Sequence, residues 1–238
     1  MQSSSLIKNI DFTTANLVRA AFDVLCGDIV ILKRAVAPEL VLEARRAVHE
    51  WGLSVPQSKA HPRESGGASH LASYLPARSQ SRYIFHSFEF EPLSSIPIVE
   101  RVLPIFEALL DIYCKLIGER IAFGENYSGY SFLPACIHYP RGGGFFQEHT
   151  HPLMPQRIGL ILSGSSYGHD YKIGGGRFCA QDKTWMATEG HHDLGDLTLF
   201  RYDLGHDITP IDPVVPLDWT RNDGRWSFVL PLKPIGKK

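Results

Sequence analysis

The sequence has few cysteines and no excess of charge of either sign. The four cysteines, Cys26, Cys114, Cys136 and Cys179, stand far apart and form no C-x-x-C pair. This spacing argues against a structural zinc site and predicts reduced, mostly buried thiols. Lysine and arginine number 24 against 25 acidic residues, which gives a net charge of −1. The chain therefore lacks the basic surface that a nucleic-acid partner or an acidic membrane would require.

Long hydrophobic runs are missing as well. No run of about eighteen apolar residues occurs, so no membrane-spanning helix is predicted. The opening "MQSSSLIKNIDFTTAN" has neither a basic segment nor an apolar segment of the kind found in secretory signals, and a cytoplasmic location is expected. With 238 residues, 44% of them hydrophobic and 21% charged, residues 1–238 are predicted to form a single domain. The oligomeric state is left open.

Residues 1–125 are predicted to be a supporting region of helices and strands. The pattern of "TTANLVRAAFDVLC" indicates a helix capped by Thr13 or Thr14, and "APELVLEARRAVHEWG" a second helix ending near Gly52. An apolar β-branched run at 29–32 predicts a strand between them. "PIVERVLPIFEALLDIYCKLIG" has the strongest helical pattern, although it contains Pro104. Residues 54–82, rich in Ser, Pro, Gly and Ala, predict a long loop that could close over a site.

Residues 126–238 are different in kind. Short strand-like runs are separated by Gly, Pro and Asp turns: "SFLPACIHYP", "GFFQEHTH", "RIGLILSG", "GRFCAQ", "DLTLFRYD", "HDITPID" and "RWSFVLPL". Many short strands at close, regular spacing favour a β-sandwich or barrel, with the earlier helices packed outside it. The predicted fold class is therefore mainly β with flanking helices (α+β).

The stretch "FFQEHTHP" carries the first candidate site. His149 and His151 are separated by one residue, so on a strand both side chains would project from the same face, with Glu148 and Thr150 on the other. Two imidazoles so placed can take adjacent positions on one transition metal. Taken alone, the pair is equally compatible with strand or turn histidines that hydrogen-bond to water.

Three further features point to the same chemistry. His206 follows a Gly-Asp turn and an apolar strand, and Tyr139 ends the strand that runs through a glycine turn into "FFQEHTHP". Arg225 and Ser227 share one face of a late strand. An inward-pointing arginine is costly unless it meets an anion, so an anion-binding role is favoured over a surface position with the stem on Trp226.

From Ser131 to Pro231, the order of these motifs resembles the Fe(II)- and 2-oxoglutarate-dependent oxygenases. The segment "GDIVILKRAVAPELVLEARRAV" looks like the opening of their phytanoyl-CoA and prolyl hydroxylase branches. The resemblance implies a double-stranded β-helix (jelly-roll, cupin-like) core, a metal triad written H-x-D/E…H, and an R-x-S that binds the distal carboxylate of 2-oxoglutarate.

Carried over to this chain, the resemblance makes His149 and His206 metal ligands. It makes Arg225, Ser227 and Tyr139 the residues that bind the co-substrate, and it matches "GGGRF" to the glycine turn before a core strand. The expected cofactors are Fe(II), 2-oxoglutarate as co-substrate, and O2.

This sequence departs from the pattern at His151, where the family has Asp or Glu. With two histidines and one carboxylate, an Fe(II) complex of dianionic 2-oxoglutarate carries one negative charge, whereas with three histidines it is neutral. Either His151 is the third ligand, or a carboxylate arrives from elsewhere. The candidates for such a carboxylate are Glu148, Asp170 and Asp207.

The function predicted on this basis is oxidation of a C–H bond of a small molecule, by default hydroxylation, with desaturation and cyclisation left open. Two alternatives stand beside it. One is a three-histidine iron oxygenase that does not use 2-oxoglutarate, and the other is a non-catalytic jelly-roll protein that binds a small molecule. The identity of the substrate cannot be read from these motifs.

Overall fold

The structure is a computed structural model that describes residues 6–58, 60–74 and 83–235. Its three helices are α1 (Thr14–Leu25), α2 (Pro38–Ser54) and α3 (Pro97–Ile117). Thr13 caps α1, because its side chain accepts a hydrogen bond from the backbone N–H of Asn16. The α2 helix continues two residues past the predicted stop at Gly52.

Fourteen strands are formed by the described residues. They are β1 (Ile7–Asp11), β2 (Ile29–Lys33), β3 (Ala68–Tyr74), β4 (Tyr83–Phe90), β5 (Tyr130–Phe132), β6 (Ala135–Tyr139), β7 (Gly144–His149), β8 (Ile158–Ser163), β9 (Gly175–Cys179), β10 (Trp185–Ala187), β11 (Leu197–Arg201), β12 (His206–Ile211), β13 (Arg225–Val229) and β14 (Leu232–Pro234). Each strand-like run of the second half that the sequence predicted contains at least one of them.

Twelve of these strands form one sheet that curls into a nearly closed barrel. Its order is β1-β2-β11-β8-β13-β6-β4-β7-β12-β9-β10, and β3 pairs with β4 off this path. Strands β1 and β2 are parallel, whereas the pairs that build the core are antiparallel. Strands β5 and β14 form a separate ribbon. The predicted class, mainly β with flanking helices around a jelly-roll core, is confirmed.

Side-chain alternation along β13 divides the interior of the protein into two parts. Trp226 and Phe228 are fully buried in the apolar core that the three helices share with the outer face of the sheet. Arg225 and Ser227 point the other way, into a cavity inside the barrel. The same strand therefore supports the helices on one face and the candidate site on the other.

The prediction of a loop over 54–82 is wrong for residues 68–74. These residues form β3, which pairs with β4 along its full length, from Ala68 opposite Phe90 to Tyr74 opposite Ile84. The sequence "ASHLASY" has little β propensity of its own, so the hydrogen bonds and packing supplied by β4 decide its conformation. Residues 75–82 of the predicted loop lie outside the described residues. Strand β1 was not predicted either.

The α3 helix continues through Pro104 without interruption. Proline inside a helix costs about 3 kcal/mol, but ten buried residues along α3 offset this cost.

No helix within the described residues is long and apolar enough to cross a membrane.

All four cysteines are free, as predicted, but only Cys136 is buried. Cys26 lies on the surface and the other two are partly exposed, so the expectation of mostly buried thiols is wrong.

Candidate metal centre

Strand pairing places two of the predicted metal ligands side by side. His149 is the last residue of β7 and His206 the first of β12, and the two lie directly opposite each other in the antiparallel ladder. Residues paired in this way hold their side chains within contact distance on one face of the sheet. The two imidazole centroids are 4.2 Å apart.

His151 joins these two histidines from beyond the end of the strand. Its ring centroid lies 5.0 Å from that of His149 and 5.2 Å from that of His206. The expected placement of His151 on the strand is wrong, because β7 ends at His149; instead, its ring stacks on Tyr202, at 4.4 Å and an interplanar angle of 17°. One nitrogen from each of the three rings nevertheless lies within 4.8 Å of the others.

Backbone carbonyls fix the orientation of two of the rings. Nδ1 of His149 lies 3.0 Å from the carbonyl oxygen of Gln147, and Nδ1 of His206 lies 2.8 Å from that of Leu204. A carbonyl oxygen can only accept, so each Nδ1 carries the hydrogen and donates it. The lone pair of each ring is then on Nε2, which leaves that nitrogen free to bind a metal.

Burial keeps the three histidines neutral. Desolvation, together with the charge that His149 would carry, lowers the pKa of His206 to about 3 and that of His151 to about 4. Desolvation also lowers the pKa of His149. Metal ions compete with protons for imidazole nitrogens, so a low pKa leaves these nitrogens free at neutral pH.

Among the residues that the structure describes, no carboxylate joins the three histidines. Within the described residues, the metal-ligand cluster contains only His149, His151 and His206. Glu148 is exposed on the opposite side of β7. Asp207 is bound by Arg177, with Nε 3.0 Å from Oδ1, and Asp170 is bound by Arg45 at 3.0 Å. The arrangement therefore favours three-histidine binding over a displaced carboxylate.

A cavity of about 380 Å³ extends from the histidines into the barrel. All six residues singled out from the sequence line it: His149, His151, His206, Tyr139, Arg225 and Ser227. Most of the remaining wall is apolar, and it includes Leu71, Phe85, Phe146, Leu160 and Leu230. The predicted site residues thus line one cavity.

Arg225 is the buried cation of this cavity. It is 4% exposed, which excludes the alternative of a surface arginine. Its Nη1 donates a hydrogen bond of 2.6 Å to the Ser227 hydroxyl, and its guanidinium lies 5.9 Å from the centre of the Tyr139 ring. A buried cation of this kind requires an anionic partner, either a side chain of the protein or a ligand.

The comparisons with known proteins identify the fold. No family model and no curated protein matches the chain. Among solved structures, a full-length Neurospora crassa protein in complex with alpha-KG and thymine superposes with a TM-score of 0.64 and 12% identity over 98% of this chain and 87% of that chain. A Pseudomonas putida prolyl-4-hydroxylase gives 0.62 and 12% over 90% and 97%. An Arabidopsis thaliana dioxygenase for auxin oxidation, in complex with 2-oxoglutarate, gives 0.59 and 11% over 94% and 91%.

The fold is that of the Fe(II)/2-oxoglutarate oxygenases. Within this oxygenase fold, the His149, His151 and His206 cluster is consistent with an atypical motif in which histidine replaces the acidic residue.

One residue of the candidate site was not foreseen from the sequence. Glu189 is buried beside Arg225, and its Oε1 accepts hydrogen bonds from Arg225 Nε at 3.1 Å and from the Tyr171 hydroxyl at 3.0 Å. Burial opposes ionisation of this carboxyl, but His192, whose Nε2 lies 3.7 Å from Oε1, and the charge of Arg225 outweigh it and lower the pKa of Glu189 to about 2. Glu189 lies in a turn, "ATEGHHD", where no periodicity signals an inward-facing acid.

Proposed function

We propose that this protein is a non-haem Fe(II), 2-oxoglutarate-dependent oxygenase that oxidises a C–H bond of a small molecule. The observation that carries the proposal is one cavity whose wall contains three convergent, neutral imidazoles and a buried arginine. The first arrangement suits a divalent transition metal and the second suits a carboxylate. A 2-oxo dicarboxylate is a ligand that could reach both.

The metal would be held by His149, His151 and His206. When bound, Fe(II) supplies the activation of O2: oxidative decarboxylation of 2-oxoglutarate places one oxygen atom in succinate, releases CO2, and leaves the other atom for the substrate. Three protein ligands leave positions open for co-substrate and O2. The donor set fits this ion, because imidazole is a ligand that iron accepts and each ring is neutral.

The protein would orient the co-substrate through its distal carboxylate. Arg225 supplies charge-assisted hydrogen bonds, and Ser227 and Tyr139 supply hydroxyl groups beside it. Burial raises the pKa of Tyr139, so its hydroxyl stays protonated and can donate. These contacts would direct the 2-oxo acid end towards the histidines.

The apolar wall of the cavity favours a small, largely apolar substrate. Leu71 of β3, Phe85 of β4 and Phe146 of β7 form part of this wall. Hydroxylation is the expected outcome, and the neighbour bound to thymine accommodates a molecule of suitable size in the same fold. Since Leu71 belongs to the segment 54–82, the part of that segment described here already contributes to the cavity, and its role as a cover over the substrate stays a prediction.

The test is metal analysis of anaerobically purified protein, followed by titration with 2-oxoglutarate while the visible charge-transfer band of Fe(II) is recorded. We expect one iron per chain, a band that saturates, and succinate release that depends on substrate. Arg225→Ala should abolish the band at the co-substrate concentration that saturates the wild type, whereas Arg221→Ala, on an exposed side chain, should not.

Bound iron with no band and with O2 consumption that does not require 2-oxoglutarate would establish the co-substrate-independent alternative instead. Absence of any stoichiometric metal would leave the non-catalytic binding protein.

A further inference from the structure

The cation expected to bind the co-substrate already has a carboxylate partner within the protein. Glu189 and Arg225 are both almost fully buried, with side-chain exposures of 7% and 5%, and their Oε1 and Nε atoms are 3.1 Å apart. An ion pair this far from water is not screened by solvent. A ligand carboxylate arriving at Arg225 therefore meets a neutral pair rather than a free positive charge.

Glu189 is fixed in this position. Its carboxylate accepts a hydrogen bond from Tyr171, and the backbone of Gly175 approaches it so closely that a Cβ there would lie 1.9 Å from Cδ of Glu189. A Cβ on Gly176 would lie 3.2 Å from Nη2 of Arg225. The two glycines of β9 thus provide the space that the pair occupies, and little room is left for the carboxylate to turn away.

The site carries its carboxylate beside the arginine and has a histidine, not an acid, at the expected metal position. The site has His151 where an acid is expected, and it has Glu189 beside an arginine that would otherwise carry an unopposed charge. One divalent metal, one arginine and one carboxylate give the same total charge wherever the carboxylate lies. Moving it from the metal to the arginine strengthens attraction for a ligand at the metal end and weakens it at the arginine end.

We propose that Glu189 determines co-substrate specificity by neutralising Arg225, so that the site discriminates only weakly between a 2-oxo acid with a distal carboxylate and one without. This inference rests on the proposed function and names a property of the same site. Glu189 lies beside Arg225 and not among the described residues that line the cavity, so it acts on the ligand through Arg225. It is a specificity-determining residue and takes no part in bond making.

The test compares two probes of equal chain length, 2-oxoglutarate and 2-oxopentanoate, which differ only at the distal end. Their dissociation constants are measured by calorimetry on the anaerobic Fe(II)-loaded protein in four forms: wild type, Glu189→Gln, Arg225→Met, and the double variant. The ratio of the two constants isolates the distal carboxylate, because chelation of the metal is common to both probes.

We expect Glu189→Gln to raise the preference for 2-oxoglutarate about tenfold, since Arg225 then presents a full charge. Arg225→Met should lower the preference, because Glu189 is left unpaired and repels the distal carboxylate. The double variant should prefer 2-oxoglutarate about tenfold more than Arg225→Met does, because the repelling carboxylate is gone. Glu43→Gln removes a negative charge from the exposed face of α2, outside the cavity, and serves as the control, with an expected change below about twofold.

An unchanged preference in Glu189→Gln, or a change of equal size in Glu43→Gln, would overturn the inference while leaving the oxygenase proposal intact. If Glu189→Gln does not fold, comparison of Arg225→Met with the double variant still tests the inference. A double variant whose preference for 2-oxoglutarate is no higher than that of Arg225→Met counts against the role of Glu189. If neither probe binds any form that retains iron, the proposed function fails, and the inference fails with it.

Discussion

Replacing Glu189 with glutamine tests the buried ion pair through protein stability. Interactions with His192 and with the charge of Arg225 lower the pKa of this carboxyl from 4.5 to about 2. A native pKa below the unfolded value stabilises the folded state when the group is ionised, and the shift corresponds to about 3 kcal/mol. Because both partners are almost fully buried, solvent screening does not reduce this figure. Removing one partner of a buried pair costs about 3–5 kcal/mol by comparison with other proteins, which agrees.

The pH dependence makes this prediction specific. The stabilisation is complete above pH 4.5, the unfolded value, and is lost as the pH falls through 2, below which the wild-type carboxyl is protonated in both states. We expect urea denaturation to show Glu189→Gln about 3 kcal/mol less stable than the wild type at pH 7, with the gap closing by more than half at pH 3. Glu43→Gln, on the exposed face of α2, should change stability by less than about 0.5 kcal/mol. A gap below about 1 kcal/mol at pH 7, or one that is the same at both pH values, would refute the reasoning.

Three further predictions follow from the same structure. His151→Asp should retain iron but shorten the reach of the third ligand. Turnover of 2-oxoglutarate, measured as succinate release, should then fall at least tenfold, because the imidazole is lost. Turnover equal to that of the wild type would show that an imidazole is not needed at this position. Burial in β4 lowers the pKa of His86 to about 3, so the free energy of unfolding should decline as the pH falls below 6.5, the unfolded value. His86→Asn should reduce the slope of unfolding free energy against pH, between pH 6 and pH 4, by about 1.4 kcal/mol per pH unit in urea titrations. An unchanged slope would contradict this. Gly159→Ala would place a Cβ 2.3 Å from the ring of Phe200, which packs against His206. Calorimetry should therefore show a loss of about 1–3 kcal/mol in stability and weaker metal binding. A metal affinity equal to that of the wild type would show that Phe200 does not position His206.

The sequence predicts the sheet best where apolar and polar residues alternate or where β-branched runs are long. Strands β2, β8, β11 and β13 follow such runs closely. Strand β3 was missed, because its alanine and serine residues form a strand only when β4 offers a partner. A contact of this kind lies between distant segments, and it is invisible to any local window.

The same distinction applies to the site. Arg225 and Ser227 could be placed on one face of a strand because alternation fixes the direction of each side chain. Glu189 could not, because it lies in a turn and reaches Arg225 across 36 positions of sequence. The direction of a turn residue depends on where the chain goes next, and no periodicity records it.

The three candidate ligands are held by different forces, and this difference bears on how the chain can carry a histidine in place of an acid. His149 and His206 are fixed by ladder register and by Nδ1 hydrogen bonds to backbone carbonyls, so their positions follow from the fold. His151 stands beyond the end of β7, and a stack on Tyr202 orients its ring. A position outside the ladder can accept a side chain of different length without disturbing the sheet, because no strand register depends on it. His151 is therefore the candidate ligand whose position the backbone constrains least, and Tyr202 supplies the orientation that the strand does not.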